Sequence, residues 1–164
     1  MMVYSWQVLF LLFNLCIIFY DMKHRRVPNR LILIGLVGQT VVLLVVATGI
    51  FPLLQPPVFW SAALMGLLVA LGMFYPLWRF RSMGAGDVKF IALVGYCLGL
   101  PSLLFALLVG SLLAGVHAIA YVAWFGWKAS RREWTLAPNT RRGLPYAAYV
   151  SVGAIASQAW RLAG

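Results

Sequence analysis

Apolar residues run along this chain in long blocks, and the polar residues collect between them. The blocks cover residues 3–20, 31–50, 58–78, 88–127 and 144–162. About 20 apolar residues suffice for a helix to cross a membrane, so the first three blocks and the last each predict one spanning helix. The block over 88–127 is too long for one crossing. Gly99-Leu100-Pro101 is the break it offers. That break leaves a fourth segment of about 12 residues and a fifth of about 26, and at about 1.5 Å per residue the fourth covers about 18 Å of a core about 30 Å thick. Either its Asp87 end starts below the membrane surface, or its far end stops short of the opposite one. Pro28 keeps the residue before it out of helix, so a loop joins the first two spans. Asn29 is placed to cap the second helix, and Pro145-Tyr146 opens the last. The pattern predicts an all-α polytopic bundle of about six transmembrane segments, the fourth of them short, forming a single domain over 1–164.

Composition agrees with the pattern. Hydrophobic residues make up 63% of the chain and charged residues 10%, against about 25% charged in a soluble domain. Such a chain cannot cover a water-facing surface. The first block has no basic stretch before it and no small-residue cleavage site after it, so it reads as a span and not as a signal peptide. Tyr4, Trp6, Phe59, Trp60, Tyr75 and Trp78 stand near block ends, as interfacial belts do. Cys16 and Cys97 both fall inside apolar blocks and form no paired motif. They read as small buried hydrophobes. No metal site, disulfide framework or cofactor follows from them.

The net charge of +10 would suggest nucleic acid in a soluble protein. Its placement points elsewhere. Of 13 basic residues, all but Arg161 lie on loops one, three and five or at their edges. That asymmetry predicts cytoplasmic placement for those loops, with both termini outside. The charge then sets topology and suits anionic lipid, and no nucleic-acid partner is implied.

Only three acidic residues remain: Asp21, Asp87 and Glu133. Asp21 ends the first block and Asp87 opens the fourth, so the predicted topology puts both on the cytoplasmic side. A carboxyl at membrane depth is costly and is a functional candidate by default. The competing reading is structural. Asp21 would pair with Lys23 or Arg25, and Asp87 would favour a helix N-terminus through its dipole. Two such residues on one face, one of them approached through Gly84 and Gly86, favour chemistry. Two neighbouring carboxyls cannot readily both ionise. One then takes a proton from water while the other donates to a scissile carbonyl, as in aspartic proteases. Gly84 and Gly86 carry no Cβ and let backbone come close. Lys89 either acts on the charge of Asp87 or snorkels to headgroups. Glu133, among Arg131, Arg132 and Arg141, reads as a local ion pair. His24 reads as an interface residue and His117 as a packed, hydrogen-bonded one.

Two stretches carry a resemblance: Asp21 with the basic run to Val27-Pro28-Asn29, and Gly84-Ala85-Gly86-Asp87-Val88-Lys89. They resemble the prepilin peptidase family, whose members carry the Gly-x-Gly-Asp signature of membrane aspartic proteases. Leu144-Pro145-Tyr146, with Gly153 inside the last block, is a weaker match. The resemblance implies cleavage of short basic leaders from pilin-like precursors at the cytoplasmic face of a bacterial inner membrane, often just after a glycine. It implies Asp21 and Asp87 as the catalytic pair, with Gly84, Gly86, Lys89, Pro28 and Asn29 in support. Larger relatives carry an added cytoplasmic region with cysteine pairs and methylate the new N-terminus. This chain is similar to the short enzymes of tight-adherence pilus systems, so methylation is not expected. A basic enzyme face does not attract a basic leader, so the substrate's apolar helix is the expected recognition element. Two other readings compete: a small ion-coupled transporter, and a catalytically silent assembly factor of a pilus or secretion machine. Oligomeric state is not legible in the sequence.

Overall fold

A computed structural model describes residues 5–49, 56–130 and 144–163. Glu133 and the basic residues around it lie outside these described residues. Among the described residues five helices form, in the order α1 (Ser5–His24), α2 (Asn29–Ala47), α3 (Trp60–Arg79), α4 (Ala85–Ser130) and α5 (Tyr146–Ala163). The all-helical expectation holds. α4 spans the fourth and fifth expected segments, with a break between them. Among the described residues four helices, α1 to α4, are long and apolar enough to cross a membrane, and α5 is not among them.

A straight helix of α4's length would reach about 69 Å, twice a bilayer core. It is broken instead at Gly99, which has φ 74° and ψ 173°. A side chain would be strained there, and a Cβ would also press on Val58. The break therefore falls two residues before Pro101, whose ring the first turn of the following segment tolerates. The first half, from Ala85 to the break, is about 14 residues and about 21 Å long, close to the short fourth segment expected.

That short half is the centre of the bundle. Phe90, Ile91, Leu93, Val94 and Leu98 are all buried. A helix that is apolar all round has to be wrapped by others. α3 and α5 both pack on α4, α2 packs on it less extensively, and α1 packs on α5. Glycines permit the closest crossings. A Cβ on Gly66 would run into the carbonyl of Gly95, and one on Gly153 into the carbonyl of Ala106. Small residues of this kind let helix backbones approach where there is no hydrophobic drive to pack them in lipid. The outward faces stay apolar, with Leu33, Ile34, Leu68, Leu108 and Val122 among many exposed side chains. Cys97 is buried as expected, but Cys16 faces outward.

One helix end is strained. α3 closes at Arg81, a non-glycine residue at φ 57° whose N–H donates to the Trp78 carbonyl at 2.9 Å. A Cβ in this left-handed region costs about 1–2 kcal/mol, and glycine offsets part of that gain through its own chain entropy. Arg81→Gly is expected to raise stability by about 1 kcal/mol, read as a higher unfolding midpoint in detergent micelles.

Candidate active site

The two aspartates come to the same end of the bundle by different routes. α1 continues one turn beyond the expected stop and ends at His24. Asp21 is thus a residue of the last helical turn and not the start of a loop. It is 2% exposed. Its Oδ2 accepts a hydrogen bond from the backbone N–H of Ala148 at 2.9 Å. Ala148 lies in the first turn of α5, where backbone N–H groups have no partner within the helix. The N-terminus of the last helix therefore holds Asp21 from across the bundle. α1 is closed by Arg25 at φ 51°, whose N–H donates to the Asp21 carbonyl at 2.7 Å.

Asp87 sits in the first turn of α4. Its N–H donates to the Gly84 carbonyl at 3.1 Å. It is half-buried and close enough to Asp21 for the two charges to interact. A Cβ on Gly84 would stand 3.1 Å from Asp87 Oδ2, so the glycine leaves room for the carboxyl to fold back over the helix start. A Cβ on Gly86 would stand 3.4 Å from the Val27 carbonyl. The close approaches these glycines make in this structure are internal: one to the aspartate, one to the α1–α2 loop.

Pro28 and Asn29 are placed differently from expectation. The residue capping α2 is Pro28, extended at φ −68° and ψ 136°, and no side chain caps the helix. Asn29 is already helical. Its Oδ1 is instead turned to α4 and accepts from Lys89 Nζ at 3.3 Å. Lys89 thereby ties the start of α4 to the start of α2, a role outside the two weighed for it.

A cleft of about 610 Å³ opens at this end of the bundle, lined by Tyr20, His24, Asn29, Gly84, Asp87 and Lys89 among others. Asp87 is the acid among its lining residues; Asp21 is not in the lining, though its neighbours Tyr20, His24 and Arg25 are. His24 is exposed and its ring lies tilted against that of Tyr20, with centroids 5.3 Å apart. His117 is exposed in place of packed, but it is hydrogen-bonded: its Nδ1 lies 2.6 Å from the Tyr149 hydroxyl. Among the described residues no group of three His, Cys, Asp or Glu side chains converges as metal ligands would.

Sequence reasoning missed the partner of Asp21. The signal was present in Leu144-Pro145-Tyr146. A proline just before a helix start also marks where free N–H groups are, and a buried carboxylate needs such donors.

A model of the type IV leader peptidase family matches residues 8–119. The match takes in both aspartates and their flanking stretches. Searches of curated proteins and of solved structures returned no match. With more than half of its length matched, this membrane-helix chain belongs to the type IV leader peptidase family, a family of proteases.

Proposed function

We propose that this protein is an aspartic endopeptidase that removes the short basic leader of a pilin-like precursor. The observation that carries the proposal is the convergence of Asp21 and Asp87, from α1 and α4, beside one cleft in a chain of this family. One carboxylate removes a proton from water as its oxygen bonds to the scissile carbonyl carbon. The other, protonated, donates to the carbonyl oxygen. Collapse of the resulting gem-diol breaks the C–N bond, and the leaving amine takes up a proton. The Ala148 N–H supports a fixed orientation for Asp21. Gly84 gives Asp87 its room, Gly86 the loop's close approach, and the Lys89–Asn29 bond with Pro28 holds the cleft wall.

The proposed setting is the bacterial inner membrane, crossed six times, with both termini outside and the site at the cytoplasmic face. Support comes from the basic residues Lys23, Arg25, Arg26, Arg79, Arg81 and Lys89, which gather at the end that holds the aspartates. Similarity to short members of the family adds cleavage without N-methylation.

The test is reconstitution. Purified protein in lipid vesicles is incubated with a precursor that joins a basic leader to an apolar helix. One new N-terminus, with the mass of an unmethylated product, is the expected result. A precursor left intact would overturn the reading.

A further inference from the structure

A second concavity lies farther along the helices that line the cleft. With α1 packed on α5 and α2 on α4, a groove of about 250 Å³ remains between α1 and α2, bordered by Trp6, Leu9, Phe13, Gly38, Gln39 and Val42. On α1 the residues Trp6, Leu9, Phe13, Tyr20 and His24 recur at spacings of three, four and seven, so the groove and the cleft share one helix stripe. Gly38 stands nine residues beyond Asn29, which places the groove about 14 Å deeper into the membrane than the cleft wall.

Two features mark the groove as more than an apolar dent. Nothing stands within 4 Å of where a Gly38 Cβ would be, so the helix surface there is open to a close neighbour. Gln39 is 4% exposed. Its Oε1 accepts from Trp6 Nε1 at 2.8 Å, and its Nε2 is covered and without a partner. An unpaired amide donor at this depth is costly. A polypeptide offers it acceptors; a lipid acyl chain offers none.

We propose that this groove receives the apolar helix of the precursor, with Gly38 allowing close contact and Gln39 Nε2, which is covered in this structure, uncovered to donate to it. The inference rests on the leader-peptidase reading and gives it a recognition element. A groove of about 250 Å³ takes side chains from one helix face. A helix seated there points one end toward Asp87, so the bond to be cut is set by depth in the membrane and not by charge. This fits a cleft whose lining includes Arg25, Arg26 and Lys89, which would repel a basic leader.

The test uses the full chain in vesicles. Gly38→Ala, Gly38→Leu and Gly38→Phe are compared with Gly72→Phe, a change at another open glycine on α3. Precursor cleavage is expected to fall with side-chain size at position 38, by about tenfold or more for phenylalanine, and to stay at the wild-type rate for Gly72→Phe. A photoreactive benzophenone residue at Ile34, which borders the groove and is 62% exposed, is expected to crosslink to the precursor's apolar segment in an Asp87→Asn background. The same probe at Leu108, 60% exposed on α4, is not. Unchanged cleavage in the Gly38 series, equal losses at Gly38 and Gly72, or lipid adducts alone from Ile34 would each overturn the proposal while leaving the peptidase reading intact. Precursor uncut by the wild-type protein would instead remove the peptidase reading and this one with it.

Discussion

Asp87→Asn is expected to lower precursor cleavage by about a thousandfold or more while leaving the bundle folded. Asparagine matches aspartate in shape but neither takes nor gives the proton, and a positioned proton-transfer group contributes about 10²–10⁴-fold. Position 87 is half-buried beside the cleft, so the amide can hydrate and the fold is spared. Asp21→Asn is expected to match that loss and to add a stability cost. Asp21 is buried, and its Oδ2 is bonded to the Ala148 N–H. The asparagine Oδ1 can keep that bond, but the new amide NH₂ then needs a partner in a buried place, at a cost of about 1–3 kcal/mol. The double variant is expected to be no slower than the slower single one, because two groups serving one proton-transfer step do not act additively. Cleavage rate and unfolding midpoint separate the two effects. Wild-type rates in both single variants would show that the pair does not do the chemistry.

The site was legible where residue type and hydropathy pattern were enough. Asp21 and Asp87 stood out because a chain with three acids placed two at block edges, and the distribution of basic residues predicts one side for both edges. The short, buried first half of α4 followed from Gly99 and Pro101. What stayed hidden depends on contacts between residues distant in sequence. The bond from Ala148 to Asp21 spans 127 positions, and that from Lys89 to Asn29 spans 60. No spacing rule reaches so far. Asn29 was misplaced as a cap because the extended geometry of Pro28 already supplies the turn into α2. α1 runs one turn past its first charge because Asp21 is buried in the bundle while Lys23 and His24 of the same turn are exposed. The Gln39 amide was unremarkable in sequence; its meaning comes from Trp6, which occupies one end of it and leaves the other free.

Gly66→Leu is expected to be the most damaging change outside the cleft, at about 3 kcal/mol of stability, with cleavage falling alongside. Gly66 on α3 and Gly95 on α4 face each other so closely that a Cβ on either would meet the other's backbone carbonyl. Backbone cannot yield as a flexible side chain does, so α3 and α4 must move apart along their whole contact. Overpacking of a tight core commonly costs about 1–3 kcal/mol, and a branched four-carbon side chain against backbone belongs at the upper end. The functional loss has a separate cause. Asp87 rides on the same rigid half of α4, about two turns below Gly95, and any displacement of α4 shifts it relative to Asp21 on α1. A misplacement of about 1 Å can cost about a hundredfold in rate. Gly72→Leu on the same helix is the control, since a Cβ there meets nothing within 4 Å, and its stability is expected to stay within about 0.5 kcal/mol of wild type. Gly66→Ala should fall between the two. Activity that survives in Gly66→Leu while stability drops would mean that Asp87 is positioned by the α1–α2 loop at Val27 and Gly86 and by the Lys89–Asn29 bond, and not by the α3–α4 crossing.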